Sequence, residues 1–307
     1  MNDGFEYRAR LGAEAHGVEL LDYLARSYSK FSRDEWRRRI ESGRVLVDEE
    51  PARGDAILRA GQLLVWARPP WREPDVPLSF AILYRNADVL AVAKPSGLPT
   101  VPGGGSFVNH TLLSLVRRRF PKASPLHRLG RATSGVVLFA TASRVFSAIA
   151  GQWRRGEVLK IYRALVAGCP LADQFPVEAP IGSVPHPVLG TIHAASDGGK
   201  SARSDVTVLE RRDGCALVEV RILTGRPHQI RIHLAAAGHP LVGDRLYGAG
   251  GVPAGDCTAL PGEGGYHLHA ALLGLSHPAT GAWTEITCGP PPVLRVGLLQ
   301  GSGPPNP

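Results

Sequence analysis

Short apolar runs alternate with turn signals along the chain between residues 80 and 290. The strand-like runs are VLAVAK, GVVLFA, YRALVA, ALVEVRIL and AALLGL, and two helical patterns, NHTLLSLVRRRF and HQIRIHLAAAG, occur among them. Consecutive strands with only scattered helices are typical of an α+β domain. The sequence therefore predicts one α+β domain over residues 80–290, built on a mixed or antiparallel sheet with a central cleft.

The first 70 residues carry a different pattern. GVELLDYLARSY places Val18, Leu21 and Leu24 at helical spacing, and Ser32 followed by Glu35 is the signature of a capping box that opens a second helix. RVLVDEEPARGDAILRAGQLLVWA then predicts a strand, a turn and another strand. Two short helices before a β-hairpin, with arginines along the second helix, resemble the small S4-type RNA-binding module. An amphipathic helix with a solvated arginine face is the open alternative.

Proline-rich stretches mark the predicted boundaries. RPPWREPDVP begins at Arg68, and because proline stiffens the chain and cannot join a central sheet, we expect a linker over residues 71–79. The C-terminal GPPPVLRVGLLQGSGPPNP predicts a tail over residues 291–307 with a disordered tip.

Composition places the chain among folded soluble proteins. No stretch approaches the ~18 apolar residues that span a bilayer, and the first residues contain no segment of the signal-peptide type. The four cysteines, Cys169, Cys215, Cys257 and Cys288, are widely spaced without a C-x-x-C pair, which argues against a zinc ribbon and a disulfide framework. We expect a cytoplasmic monomer that does not bind a membrane.

Positive charge is concentrated in one part of the chain. The net charge is +8, and residues 115–165 contain 11 Lys and Arg against one acid, Glu157, whereas residues 1–70 contain 12 of each sign. A band of one sign is typical of a surface that binds a phosphate backbone. The alternative is a solvated surface in an arginine-rich protein, since Arg outnumbers Lys by 30 to 5.

A second basic cluster occurs in TGRPHQIRIHLAAAGHPLVGDRLYG. Arg226, His228, Arg231 and His233 fall within eight residues, and buried guanidinium groups need anionic partners, so the cluster predicts contact with a phosphate or a carboxylate. A metal site is the rival interpretation. His228 and His233 are five residues apart rather than three or four, and no cysteine is near, so we expect no metal.

Six segments, in order along the chain, resemble the signature motifs of the RluA-type family of RNA pseudouridine synthases. They are LYRNADVLAVAKPSGLPTVPG, HRLGRATSGVVLFA, KIYRALVAG, GKSARSDVTVL, TGRPHQIRIHLAAAGHPLVGDRLYG and LHAALLGLSHPATG. The resemblance covers about residues 80–290. An S4-like module ahead of such a domain is a common arrangement in that family.

The resemblance implies that uridine in ribosomal or transfer RNA is isomerised to pseudouridine without a cofactor. The N-glycosidic bond is cut, the base turns in the pocket, and C5 is joined to the ribose. By resemblance, Tyr162 stacks on the uracil and acts as base, Arg231 pairs with the catalytic aspartate, and Arg128 fills the space left by the flipped base. The other substrate-binding residues that we expect are His127, Arg131, Thr133, Lys160, Arg226, His228 and Gln229.

The sequence departs from the family at the central catalytic position. The family has an essential aspartate after HRL, and this chain has Gly130. Glycine cannot attack, accept a proton or pair with Arg231, so we expect Arg231 to lack its carboxylate. Three interpretations stay open: an active synthase that recruits Asp205 or Asp244, an inactive RNA-binding protein of the same family, and a pocket with a different reaction. The retained Tyr162 and Arg231 favour the first.

Overall fold

The structure is a computed structural model that describes residues 1–28, 31–103, 106–254 and 258–297. The chain divides into two compact units, Met1–Pro74 and Asp75–Pro307, and the division falls within the stretch predicted as a linker. Cys257 and the tip of the predicted tail, residues 298–307, lie outside the described residues. The described cysteines Cys169, Cys215 and Cys288 are free thiols.

The first unit combines two helices with a four-stranded sheet. Its elements are β1 (Phe5–Arg10), α1 (Leu20–Ser27), α2 (Arg33–Glu41), β2 (Val45–Val47), β3 (Glu50–Pro51) and β4 (Leu63–Arg68), and the strand order is β1-β4-β2-β3. The predicted capping box is present, because the Ser32 hydroxyl accepts from the backbone of Glu35 while the Glu35 carboxylate accepts from the backbone of Ser32. The sequence does not predict β1, which pairs with β4 along its whole length.

The start of the predicted linker packs against the first unit. The Trp71 N–H donates to Asn2 Oδ1 and the Asn2 N–H donates to the Trp71 carbonyl, both at 3.0 Å. The Asn2 amide also donates to the carboxylate of Glu73 at 2.9 Å, and both side chains are buried. Residues 71–73 are therefore part of the first unit's structure.

The second unit is built on one large mixed sheet. Its elements are β5 (Ala81–Arg85), β6 (Val89–Lys94), α3 (Leu112–Arg119), β7 (Ser124–Pro125), β8 (Ser134–Ala140), α4 (Ser143–Arg155), β9 (Leu159–Ala167), β10 (Gln174–Val177), β11 (Ile181–His186), β12 (Gly190–Ala195), β13 (Ser204–Arg212), β14 (Cys215–Ile222), α5 (Gln229–Ala236), β15 (Leu268–Ser276) and β16 (Trp283–Thr287). The strand order is β10-β13-β14-β9-β15-β8-β6-β5, with β16 beside β15 and β7 beside β8, while β11 and β12 form a separate hairpin. The predicted α+β class with a mixed sheet is confirmed.

Helices cover both faces of this sheet. Val145 and Ile149 of α4 pack on β6 and β8 from one face, and Leu112 and Val116 of α3 pack on the opposite residues of the same strands. Helix α5 packs against β9, β13 and β14. Within the described residues, no helix is both long enough and apolar enough to cross a membrane.

The beginning of the predicted tail is ordered rather than free. Leu294 is buried, and the Arg212 guanidinium donates to the carbonyl oxygens of Val293 at 2.8 Å and Arg295 at 2.6 Å. These contacts fix residues 293–295 against β13, so the packed part of the chain extends beyond residue 290.

The parallel pairing of β8 with β15 positions the candidate site. His269 and Ala270 pair with Ser134 and Gly135, and Gly135 has a positive φ with the Ala270 backbone so near that a β-carbon would overlap it. Only glycine permits this approach. Because parallel strands begin at the same edge of a sheet, the loop before β8 and the segment before β15 come together there.

Candidate active site

The loop that connects β7 to β8, residues 126–133, carries Gly130. The Thr133 N–H donates to the Gly130 carbonyl at 3.1 Å and closes a turn. The buried Thr100 hydroxyl accepts from the Leu129 N–H at 3.1 Å and donates to the Leu129 carbonyl at 2.8 Å. One side chain thus satisfies both backbone groups of Leu129 and fixes the loop immediately before Gly130.

A buried lysine ties the same loop to the end of β6. The Lys94 ammonium donates to three carbonyl oxygens, those of Leu98 at 2.7 Å, Pro95 at 2.9 Å and Arg131 at 3.1 Å. Burial lowers the pKa of Lys94 to about 7, while the three acceptors favour its charged form. All three donors of the ammonium are used inside the protein, so Lys94 holds two loops together rather than presenting a charge to a ligand.

Gly130 is exposed and has no positive φ. A β-carbon at this position would lie 2.9 Å from the hydroxyl oxygen of Tyr266 and 3.4 Å from Oγ1 of Thr133. The backbone therefore permits a side chain, but the space in which it would begin is bordered by the Tyr266 hydroxyl. Tyr266 belongs to the segment before β15 and is 5% exposed.

Arg231 on α5 is paired with Asp244, so the expectation of an unpaired Arg231 is wrong. Its guanidinium donates from Nε and Nη2 to the two carboxylate oxygens at 2.6 and 2.7 Å, and the side chains are 4% and 1% exposed. The sequence alone could not identify Asp244 as the partner of Arg231. The two residues are 13 positions apart and meet only because the chain turns at Gly238 and Gly243, which both have a positive φ.

Neither carboxylate proposed as a substitute for an aspartate at position 130 is available. Besides Arg231, the Asp244 carboxylate accepts from the backbone of Leu246 at 3.0 Å and Tyr247 at 3.3 Å, and its side chain is almost fully buried. Asp205 lies on β13 and forms an exposed ion pair with Arg203. The interpretation in which Asp205 or Asp244 takes over the reaction finds no support in this geometry.

Tyr162 lies on β9 at the centre of the sheet, opposite Ala270 of β15 and Val220 of β14. It packs against two core clusters, of which one contains Ala132 and Tyr266 and the other Leu129. Tyr162 therefore shares its core packing with residues of the loop that carries Gly130. Burial raises the pKa of Tyr162 to about 12, so its hydroxyl is protonated at neutral pH.

His228 precedes α5 in a left-handed conformation with a φ of 56°. Its Nδ1 lies 2.7 Å from the Tyr247 hydroxyl, which also donates to the His193 carbonyl at 2.7 Å. Burial and then the charge of Arg231 lower the pKa of His228 to about 4, and Arg128 acts in the same direction. The structure thus brings the predicted residues Arg128, His228 and Arg231 into one neighbourhood.

Two other predicted residues pack behind the loop. The His127 ring stacks on Trp153 at 4.9 Å and accepts from the Leu138 N–H at 3.1 Å. Burial, followed by the charge of Lys160, lowers the pKa of His127 to about 4. Lys160 is itself buried, and this burial lowers its pKa. The structure therefore gives His127 and Lys160 interior contacts, and their contact with substrate stays a prediction.

Gln229 and Arg226 are held by the protein itself. The Gln229 amide nitrogen donates to the Arg203 carbonyl and the Ser204 hydroxyl, and its oxygen accepts from the Thr224 hydroxyl and the Arg226 N–H. All four hydrogen-bonding positions of this buried amide are occupied, which leaves none for a substrate. The Arg226 guanidinium donates to the Ser201 carbonyl at 3.0 Å.

Sequence reasoning missed Tyr266. It lies 136 residues from Gly130 and two residues before the LHAALLGLSHP segment, and no motif in the sequence marks it. Thr133, which sequence analysis did select, is its neighbour, with Oγ1 at 3.4 Å from the Tyr266 hydroxyl. Arg131 reaches toward the same segment and donates to the Gly262 carbonyl at 2.7 Å.

Comparisons with known proteins agree with the motifs. The model of the RNA pseudouridylate synthase family matches residues 88–236. The chain is 44% identical over 277 residues to an uncharacterised RNA pseudouridine synthase of Synechocystis, covering 90% of this chain and 95% of that one. It is 33% identical to ribosomal large subunit pseudouridine synthase D of Neisseria meningitidis, covering 87% and 74%. Human RNA pseudouridylate synthase domain containing 1 is a solved structure with a TM-score of 0.55 and 26% identity, covering 73% of this chain and 89% of that one.

Proposed function

The chain belongs to the RluA-type family of RNA pseudouridine synthases, and from that premise we propose that it is an active enzyme despite Gly130. The proposed reaction is the isomerisation of uridine to pseudouridine in a structured ribosomal or transfer RNA. The observation that carries the proposal is the retention of an ordered polar cluster beside Gly130. Tyr162, Arg231 and Asp244 are all in place, and the buried ion pair is bidentate.

The chemistry of this cluster suits a flipped base. Tyr162 is neutral at physiological pH, because its pKa is about 12, and an uncharged ring can stack on uracil. Arg231 contributes a fixed positive charge that is oriented by Asp244, and such fixed charges stabilise negative charge that develops on a departing base. The uridine must leave its helix to reach these groups, at a cost of a few kcal/mol.

The basic band formed by residues 115–165 is the proposed contact with the RNA backbone. Arg117, Arg118 and Arg119 are exposed in the last turn of α3. Others in the band are neutralised within the protein, since Arg144 pairs with Asp88 and Arg155 with Glu157. We therefore assign the larger part of the salt-dependent binding to the α3 end of the band.

The first unit is proposed as a second, weaker RNA contact of the S4 type. Its helix pair and hairpin have the expected order, but exposed arginines of α2 are paired with acids, Arg33 with Asp22 and Arg37 with Asp34. A neutralised helix face favours local base or ribose contacts over long-range attraction. We also propose that the protein acts as a monomer in the cytoplasm.

A second candidate function is favoured by Gly130 itself: an RNA-binding protein of the same family that does no chemistry. The two candidates differ in one measurable event. Forming the C5 glycosidic bond releases the C5 hydrogen of uridine, so an active enzyme releases tritium from [5-³H]uridine-labelled RNA. An inactive protein binds the same RNA without release.

The test uses the purified 307-residue chain, without added cofactor, and total RNA from cells that lack the gene. We expect tritium release that stops at a fixed number of sites, and new pseudouridine at a defined position. Tyr162→Ala, which removes the ring proposed to stack on uracil, is expected to slow the release strongly while the protein still binds RNA. Saturable binding without tritium release would establish the second candidate.

A further inference from the structure

The segment that carries Tyr266 is held rigidly at the edge where β8 and β15 begin. Arg131 donates to the Gly262 carbonyl at 2.7 Å, and Arg231 donates to the Pro261 carbonyl at 3.0 Å. The backbone of Gly265 crosses Gly243 so closely that a β-carbon on Gly243 would overlap the Gly265 oxygen. These three contacts hold the backbone of residues 261–265 immediately before Tyr266, and the Arg231 guanidinium packs on the Tyr266 ring itself at 4.4 Å.

The hydroxyl of Tyr266 lies at the position from which a residue 130 side chain would project. A β-carbon on Gly130 would be 2.9 Å from it, a separation that real β-carbons essentially never show. Among the described residues, the hydrogen-bonding partner of this hydroxyl is Thr133 Oγ1. The two oxygens are 3.4 Å apart, which is long for an O–H···O hydrogen bond. A buried tyrosine hydroxyl normally has a good partner, so the Tyr266 hydroxyl has hydrogen-bonding capacity left for a ligand at Gly130, which is exposed.

A positive charge lies over the ring of Tyr266. The Arg231 guanidinium carbon lies 4.4 Å from the centroid of the Tyr266 ring. A guanidinium over an aromatic face is attracted to the electrons of the ring, and that attraction grows when the phenol oxygen gains negative charge. Asp244 keeps the guanidinium in this position, because it binds both Nε and Nη2.

We propose that Tyr266 is the catalytic residue that takes the place of the missing carboxylate, with its hydroxyl supplied from across the sheet junction rather than from position 130. The inference rests on the proposed function and names the group that performs it. It also assigns the missing role to a group other than Asp205 and Asp244, whose carboxylates are already paired with arginines.

In the proposed reaction, the Tyr266 oxygen attacks C1′ of the target ribose and the C1′–N1 bond breaks. The bonding electron pair goes to N1, and the phenolic proton goes to the departing uracil. After the base turns, C5 attacks C1′, the C1′–O bond to Tyr266 breaks, and its electron pair returns to the phenolate. The phenolate then takes the C5 proton, which restores Tyr266 without any other reactant. Tyrosine serves as nucleophile at a sugar carbon in sialidases.

The first experiment compares wild type with Tyr266→Phe. Tyr84→Phe is the matched control. Tyr84 lies on β5, and its hydroxyl accepts from the side chain of Asn86, which precedes β6 at the opposite end from Lys94. We expect Tyr266→Phe to lower the rate of tritium release about 100-fold, as for loss of a positioned proton-transfer group, with RNA affinity changed less than threefold. Tyr84→Phe should keep the wild-type rate. A loss of less than tenfold in Tyr266→Phe overturns the proposal.

The second experiment moves the reactive group back to position 130. In Gly130→Asp combined with Tyr266→Phe, the hydroxyl that would meet the new side chain is gone, so we expect at least tenfold more tritium release than from Tyr266→Phe alone. Gly130→Asp alone should be slower than wild type, because its β-carbon conflicts with the Tyr266 hydroxyl. A Gly130→Asp enzyme faster than wild type would show that Tyr266 does not fill the catalytic role.

The close approach of residue 130 to the Tyr266 hydroxyl can be measured from stability alone, without catalysis. This measurement separates the inference from the proposed function. Gly130→Ala should lower the thermal midpoint in the wild-type background and much less in Tyr266→Phe, since only the hydroxyl creates the conflict. Equal shifts in both backgrounds would refute the geometry even if the enzyme is active. Wild-type protein that releases no tritium from any RNA would refute the proposed function, and with it the catalytic role of Tyr266, while leaving the contact intact.

Discussion

Replacing Asp244 with Asn should destabilise the second unit far more than an ordinary surface substitution. Asp244 neutralises Arg231 through two hydrogen bonds of 2.6 and 2.7 Å, and the two side chains are 1% and 4% exposed. Removing one charge of a buried pair leaves the other uncompensated, which costs about 3–5 kcal/mol. In Asp244→Asn the guanidinium would lose its only carboxylate among the described residues.

We expect the cost of Asp244→Asn to lie at the lower end of the range of about 3–5 kcal/mol. Arg231 keeps its bond to the Pro261 carbonyl and its stacking on Tyr247 and Tyr266, and the Asn oxygen can still accept one of the bonds that Asp244 accepts. We therefore expect a loss of about 3 kcal/mol in the free energy of unfolding. For a unit of this size that corresponds to a decrease of roughly 6–12 °C in the melting temperature.

The assay must report on the second unit alone, because two units can unfold separately. Hydrogen exchange of peptides from α5, followed through a denaturant titration, meets this requirement. The matched control is Asp205→Asn, which breaks an Arg–Asp pair whose side chains are 47% and 40% exposed and should cost less than about 1 kcal/mol. Equal losses in Asp244→Asn and Asp205→Asn would refute the claim that burial makes the Arg231 pair important.

Three further predictions follow from the same geometry. Stability should fall as the pH drops from 6.5 to 4, because the folded state holds His127 and His228 neutral, each with a pKa of about 4, while the unfolded chain takes up the protons. His127→Gln should make this dependence less steep, with the part due to His228 left, in acid titrations followed by circular dichroism. Tyr162→Ala should lower tritium release about tenfold to 100-fold, since stacking of a base on an aromatic ring contributes about 1–3 kcal/mol, whereas Tyr162→Phe keeps the ring and should have a smaller effect. Charge reversal of Arg117–Arg119 should reduce the slope of log affinity against log salt by about 2 in filter-binding measurements, and an unchanged slope would place the RNA contact elsewhere.

Elements that depend on local pattern could be predicted from the sequence. The runs VLAVAK and GVVLFA became β6 and β8, since apolar residues bounded by turn signals predict a strand from local information alone. The capping box at Ser32 depends on two residues three apart and is present. Strand β1 could not be predicted, because its six residues alternate in exposure without an apolar run and gain their structure from pairing with β4 more than 50 residues away.

The same distinction applies to the candidate site: the sequence located some of its residues but not their contacts in the folded chain. The family motifs located Tyr162 and Arg231, and the chain places both beside the loop with Gly130. The sequence could not show that Asp244 pairs with Arg231, because the motif that contains both residues gives their spacing along the chain and not the turn between α5 and Asp244. For the same reason it could not show that the side chain of Gln229 has no free hydrogen-bonding group.

A motif assigns a catalytic role to a position in the chain, whereas the chemistry requires an atom at a position in space. In this protein the motif position is Gly130, whereas the atom proposed to react belongs to Tyr266. The parallel pairing of β8 with β15 at Ser134–His269 places two loops from distant parts of the sequence at one edge, so either loop can deliver a side chain to the same point. A side chain at residue 130 and the hydroxyl of Tyr266 compete for that point, because a β-carbon there would lie 2.9 Å from the hydroxyl and one of the two would have to shift. The glycine is then not the loss of a working group but a condition for the tyrosine to occupy its place.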